Sequence, residues 1–296
     1  MLEVESIDEA LVTATRDLLA QGRSTAPRGR PTLEILAYGF KLRNPRARKI
    51  TLRAREWSEA LAVGELCWHM AGSDAVDFIS YYGRRWTDFS DDGQTIRGSC
   101  YGKKIFGSDE TGGNQWERAK STLMSDRSSR RALILLHDAP RAGLSDAKDV
   151  ACITAIQYLL RGDSLHCVTT MRSNDVIWGT CYDVFLTTML QERLACELGV
   201  GLGWYQHFCG SIHVYEELLP IAKAIAFEGA TNDPSVMPPM ADVDRIPAFL
   251  AVEERIRLGQ SDGVALAERL PLYWRQLAKP LVERHERRWA SSLAQG

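Results

Sequence analysis

Residues 152 to 185 read CITAIQYLLRGDSLHCVTTMRSNDVIWGTCYDVF, and this stretch decides the fold. Thr154 to Leu160 and Leu165 to Met171 are rich in β-branched and apolar residues and flank the short RGDS turn, which predicts two strands. A polar run, MRSND at 171 to 175, follows the second strand with no structural reason for so many hydrogen-bonding side chains in a row. Tyr182 to Gly199 then has the spacing and length of a helix.

The segments around this stretch read less sharply. Ser6 to Gln21 is amphipathic and helical, and Thr32 to Leu42 (TLEILAYGFKL) alternates like a strand. Glu56 to Met70 has helical spacing. Arg84 to Gly107 is a long irregular stretch of a kind often functional in compact domains. Trp116 to Ser125 predicts a helix, Arg131 to His137 (RALILLH) a buried strand, and His207 to Val214 a further strand. The last third is proline-rich from Pro234 to Pro247 and then helical. Strands and helices that do not strictly alternate predict an α+β fold. With no visible linker or repeat, residues 1–296 are expected to form one domain.

Composition narrows the function. A net charge of -2 and a pI near 6.3 provide no field for gripping a nucleic-acid backbone. Anionic ligands must then be held by a few local arginines. No apolar run is long enough for a membrane span. The N-terminus MLEVESIDEA is acidic, unlike a signal peptide. Seven scattered cysteines without a CxxC pair argue against a disulfide framework or a structural zinc site, so no metal is expected. A cytoplasmic location fits best.

Taken singly, the polar residues have ordinary readings. Cys152 is a structural cysteine, Glu65 a solvated helix residue, His213 a satisfied core histidine, and Arg130 with Arg131 a surface pair. Their order along the chain changes this. Glu65 in a helix, Tyr101-Gly102, Ser129-Arg130-Arg131 before a strand, Cys152 before a strand, then RSND and His213-x-Tyr215 together resemble the thymidylate synthase superfamily across about Thr32 to Glu216. Cys152, QYLLR and MRSNDV look closest to the phage deoxycytidylate hydroxymethylases and the cytidylate hydroxymethylases of nucleoside-antibiotic pathways.

The resemblance implies a sheet-on-sheet homodimer that uses 5,10-methylenetetrahydrofolate. Cys152 is the implied nucleophile at C6 of the pyrimidine, which turns C5 into a carbanion equivalent able to accept a one-carbon unit. Glu65 is implied to organise water and protons, and Tyr101 to stand beside the cysteine. Arg172 and Ser173 would hold the nucleotide phosphate, joined by Arg130 and Arg131 from the partner subunit. Arg28, or a neighbour within a position or two in the loop PRGRP, would complete the phosphate site. His213 and Tyr215 match the pair on the ribose 3′-hydroxyl, while Asp175, Trp86 and Gly179 match folate-binding positions.

Two departures bear on the reaction. Eleven residues after the phosphate arginine the synthases carry an asparagine that reads uracil; here Asp183 stands, and a carboxylate only accepts hydrogen bonds. Opposed to uracil O4 it would cost roughly 1–3 kcal/mol, whereas it can accept from the 4-amino group of cytosine. The competing reading is a helix cap. Ile153 follows the nucleophile where the synthases usually have histidine, Met171 replaces a common glutamine, and the tail ASSLAQG is unlike theirs. The expectation is hydroxymethylation of CMP or dCMP, with the ribonucleotide favoured. The alternatives are a methyltransferase or hydroxymethylase for a uracil nucleotide and an inactive nucleotide- or RNA-binding relative. Zinc deamination needs HxE and PCxxC motifs that are absent.

Overall fold

The computed structural model describes residues 2–110, 112–144 and 146–293, the last three of these as backbone only. The chain divides into two compact units, each built from three separate segments. Met1–Trp57, Gln115–His137 and Ala151–Pro238 form the first; Ser58–Asn114, Asp138–Val150 and Pro239–Gly296 form the second.

All eight strands found among the described residues lie in the first unit. They are β1 (Leu2–Val4), β2 (Arg23–Thr25), β3 (Thr32–Leu42), β4 (Leu133–Leu135), β5 (Ile153–Arg161), β6 (Ser164–Met171), β7 (Asn174–Asp175) and β8 (Gly201–Tyr215). The sheet runs β1-β3-β8-β6-β5-β4, with β2 on β3 and β7 on β8. It is mixed: β6 and β7 pair parallel to β8, while β3–β8, β5–β6 and β4–β5 are antiparallel.

Alternation along the strands separates two faces. Leu165, Cys167, Thr169 and Met171 of β6 are buried, as are Tyr205, His207 and Cys209 of β8. The helix Thr180–Leu198 lies on this side: Gln191 Nε2 donates to the carbonyls of Leu165, Gly203 and Trp204 at 2.9, 3.2 and 3.1 Å. On the other face Leu133, Leu135 and Phe208 remain 43%, 58% and 40% exposed. His166 and Trp204 stack there at 4.4 Å.

The local signals for helices hold well. Ser6 caps Ile7–Gln21 by accepting from Glu9 N, and Asp8 and Glu9 occupy the first turn. The expected strand over Arg131–His137 shrinks to three residues, because Leu136 N and His137 N both donate to Thr154 O and the ladder stops. The strand expected over His207–Val214 extends to fifteen residues. The irregular stretch 84–107 contains a 3-10 turn, Arg84–Phe89, and a short helix, Tyr101–Phe106.

The second unit is helical. Its central helix, Glu59–Met70, is buried along most of its length and is capped by Ser58. Trp274 packs on Phe249 at 5.1 Å and donates to the carbonyls of Ala241 and Asp242.

One ion pair anchors the first unit beneath the sheet. Arg48 and Glu192, 0% and 1% exposed, are hydrogen-bonded, and Arg46 Nε donates to the same carboxylate at 2.6 Å. Removing one member of such a pair strands the other charge. Glu192→Leu should therefore lower stability by about 3–5 kcal/mol in chemical denaturation, and adding Arg48→Met should restore much of that loss.

Candidate functional site

The β5–β6 hairpin places the first pair of predicted residues. Ile153 faces Met171 across the ladder, so Cys152 and Arg172, one residue outside each strand, become neighbours. Arg172 N donates to Cys152 O at 2.9 Å. Its guanidinium is held by Nε to Ala151 O at 2.9 Å, which leaves Nη2 3.5 Å from Cys152 Sγ. Cys152 is half-buried. A guanidinium beside a partly accessible sulfur is the setting in which thiolates form and react. Ser173 follows directly and is half-buried.

The next two residues form β7 against Ile212 and His213 of β8. Asp175 Oδ1 accepts from Ile177 N and Trp178 N at 2.7 and 2.6 Å. Its Oδ2 is buried and has no hydrogen-bond donor among the described residues. Burial raises the carboxyl's pKa despite the two backbone donors. Burial lowers the pKa of His213, its strand neighbour, with the Asp175 charge pulling the other way. His213 meets Tyr215 edge-on at 5.2 Å, and both lie on one side of β8. The Arg30 guanidinium sits 3.9 Å above the Tyr215 ring and pairs with Glu217 at 2.8 Å.

Asp183 lies in the first turn of Thr180–Leu198, whose N-cap is Gly179. The capping reading of Asp183 therefore gives way, since the helix begins before it. Its Oδ2 accepts from Asn174 Nδ2 at 2.8 Å. Asn174 Oδ1 lies 2.7 Å from Thr180 Oγ1 and 3.0 Å from His207 Nε2, and His207 Nδ1 is 3.0 Å from Tyr205 OH. Gly179 is tightly enclosed: a Cβ there would be 3.0 Å from Asn174 Nδ2 and 3.2 Å from Asp183 Oδ2.

The second unit assembles the remaining group. Glu65, 8% exposed, lies one turn before His69 on the same helix, with His69 Nε2 3.7 Å from Glu65 Oε1. His69 Nδ1 accepts from Gly102 N at 3.1 Å, so the neutral ring carries its proton on the nitrogen facing Glu65. Tyr101 stacks on His69 at 5.4 Å, and Trp68 bridges His69 to Trp86 at 4.7 and 5.4 Å. Gly102 permits this approach, because a Cβ would lie 1.9 Å from His69 O.

Cys152, Arg172, Ser173, Asp175, Gly179, Asp183, His213 and Tyr215 thus occupy one end of the sheet in the first unit. Glu65, Tyr101 and Trp86 share one cluster in the second. Arg130 and Arg131 are exposed just before β4, and neither guanidinium forms a hydrogen bond or ion pair among the described residues. Arg28 is exposed in a left-handed turn (φ 53°) and its side chain forms no hydrogen bond or ion pair among the described residues. Arg30 lies within the two-position range that the sequence allowed around Arg28, whereas sequence reasoning passed over His69, Asn174 and His207. Only Asn174 carried a signal, as part of the polar run after β6. Among the described residues no group of three or more His, Cys, Asp or Glu is arranged to hold a metal, and no helix is long and apolar enough to cross a membrane.

The thymidylate synthase family pattern matches residues 10–240. The chain belongs to the thymidylate synthase family. Members of that family use 5,10-methylenetetrahydrofolate as co-substrate. The chain is 27% identical over 208 residues to the deoxyuridylate hydroxymethyltransferase of Bacillus phage SP01, covering 67% of this chain and 54% of that one. It is 31% identical over 206 residues to the protein of the same name from Delftia phage PhiW-14, covering 66% and 54%. The chain thus spans about half the length of these relatives. The thermostable thymidylate synthase A of Bacillus subtilis matches in structure with a TM-score of 0.65 at 21% identity, over 80% of this chain and 91% of that one. The α+β fold expected from the sequence is therefore the one found. The relatives carry a hydroxymethylase name, but with a uracil rather than a cytosine nucleotide in it.

His207 permits a direct check on the buried network. Burial lowers its pKa to about 3, well below the ordinary 6.5 of an imidazole. Below pH 6.5 the unfolded chain takes up a proton that the folded chain refuses, so acid destabilises the fold through this residue. Relative to His207→Gln, wild-type stability should fall by about 1.6 kcal/mol between pH 6.5 and 5, measured by denaturant titration. Parallel pH profiles would contradict a buried neutral imidazole.

Proposed function

We propose that this protein adds a hydroxymethyl group to C5 of a cytosine nucleotide, CMP or dCMP, using 5,10-methylenetetrahydrofolate. The observation that carries the reading is Asp183, a carboxylate where the synthases use an amide, held by the Asn174 amide at 2.8 Å. A carboxylate accepts from the 4-amino group of cytosine and opposes uracil O4. The folate fits a feature of this chain: the buried Asp175 Oδ2 lacks a donor, and a pterin ring presents N–H groups to such an oxygen.

Cys152 adds to C6, with Arg172 beside its sulfur and shared between that sulfur and the nucleotide phosphate. Ser173 supports the phosphate, while His213 and Tyr215 take the ribose. Arg30, above the Tyr215 ring, suits the N-terminal phosphate role better than Arg28, which has no hydrogen bond or ion pair among the described residues. Bound methylenetetrahydrofolate supplies the one-carbon unit. Glu65, oriented by His69, takes the C5 proton as the folate nitrogen departs from the transferred carbon; it then directs water to the exocyclic methylene carbon, and the Cys152 thiolate leaves C6 to restore the base. Tyr101, Trp86 and Gly179 shape the surroundings.

A second reading has its own support: the curated relatives are named for deoxyuridylate. One assay separates the two. With methylenetetrahydrofolate, CMP or dCMP should outperform UMP and dUMP, and tetrahydrofolate should accompany the product; dihydrofolate would indicate methylation. Asp183→Asn should shift the cytosine-to-uracil preference toward uracil by roughly ten- to a hundredfold. A wild-type preference for a uracil nucleotide would favour the second reading.

The enzyme is proposed to act as a homodimer packed through its sheets. The apolar face bearing Leu133, Leu135 and Phe208 suits such an interface, and Arg130 and Arg131 stand at its edge without an ion-pair partner among the described residues. All seven cysteines are free, which suits a reducing cytoplasm. Arg130→Ala and Cys152→Ala variants, each inactive alone, should regain up to about a quarter of wild-type activity when mixed and allowed to exchange subunits, because one of the two sites in a mixed dimer is intact. No recovery in a demonstrated heterodimer would contradict shared sites.

A further inference from the structure

We infer that Asn174, His207 and Tyr205 form a polarised hydrogen-bond relay that holds Asp183 as an ionised acceptor and so sets which base the site takes. The inference rests on the base-reading role given to Asp183 above. It begins from burial: Asn174 is 2% exposed, Thr180 1%, and Thr187, Tyr205 and His207 are each 0% exposed. With no water to substitute, each polar atom must find its complement within the group.

The complements fit only in one direction. Asn174 Nδ2 donates to Asp183 Oδ2 at 2.8 Å, which turns the amide oxygen toward His207 and Thr180. That oxygen accepts from Thr180 Oγ1 at 2.7 Å and, at 3.0 Å, from His207 Nε2. His207 must therefore carry its proton on Nε2, because an amide oxygen cannot donate. Nδ1 is then an acceptor, and the Tyr205 hydroxyl at 3.0 Å is its donor. Thr187 Oγ1 lies 3.0 Å from Tyr205 OH and 2.6 Å from Asp183 O, its single proton shared between these two acceptors.

Reversing the relay would turn the Asn174 carbonyl toward Asp183. Two acceptors would then face each other unless Asp183 took up a proton. A protonated Asp183 whose O–H were not spent on Asn174 would donate to uracil O4, so losing the Asn174 donor loosens the choice of base. The observed direction keeps Asp183 an acceptor, which complements the cytosine amino group. Burial keeps His207 neutral, so it remains a one-donor, one-acceptor link rather than a double donor. Asn174, His207 and Tyr205 are in this sense positioning residues, acting on the base through Asp183.

The test compares kcat/KM for CMP and UMP, and for dCMP and dUMP, in wild type, Tyr205→Phe and Asn174→Leu. Tyr205→Phe removes only the hydroxyl that donates to His207 Nδ1 and keeps the ring packed. Both variants should reduce the cytosine-to-uracil ratio by about tenfold or more, with Asn174→Leu the larger effect. Equal losses on both bases in folded variants would mark a merely structural role and overturn the relay. A second readout needs no turnover: 15N spectra of labelled wild-type protein should show His207 as the Nε2–H tautomer at neutral pH. An Nδ1–H tautomer would overturn the relay in the same way. If wild type turned over none of the four nucleotides, the functional reading would fail, and the tautomer would still decide the relay.

Discussion

The contact between Arg172 and Cys152 depends on a strand register, and the rest of the candidate site is built outward from it. β5 and β6 pair so that Ile153 faces Met171, and the residues just outside that pair meet. Two backbone carbonyls hold Arg172 by its main-chain nitrogen and Nε, which brings Nη2 to the sulfur. A one-residue slip would send every side chain of β6 to the opposite face. The buried row Leu165, Cys167, Thr169 and Met171 under the helix Thr180–Leu198 guards against this. Packing of the core thus fixes the chemistry at its edge.

From that edge the chain carries its polar groups inward. Ser173, Asn174 and Asp175 follow Arg172 without a break, and the short pairing of β7 with β8 sets Asp175 beside His213. Burial acts on both in opposite senses, raising the carboxyl's pKa and lowering the imidazole's. Such groups are kept at a cost in stability and are commonest where a ligand must be recognised. Asp175 spends one oxygen on two backbone donors and keeps the other buried without one. In the second unit another buried imidazole, His69, accepts from Gly102 N on one nitrogen and turns the other toward Glu65.

Much of this was legible in the sequence because local patterns and tertiary demands agreed. The hairpin of residues 153–171 alternates cleanly, its turn carries Gly162 at φ 56°, and the helix after it has its own periodicity. Other parts were hidden for physical reasons. Asn174 and His207 are 33 residues apart and belong to one network only because parallel pairing with β8 brings them together. His207 on a strand looks like any core residue, and nothing in the loop PRGRP sets Arg30 apart from Arg28. The division into two units was also illegible, since each is assembled from three segments with no linker in sequence.

The central claim is that the Cys152 sulfur adds to C6 of a pyrimidine, and it can be tested on the protein directly. A 5-fluoro analogue of CMP or dCMP, incubated with methylenetetrahydrofolate, should stall after addition, because fluorine cannot leave C5 as a cation where a proton would. Peptide mass spectrometry should then find the nucleotide attached to Cys152. Attachment at another cysteine, or no covalent product with nucleotide and folate both bound, would contradict the account.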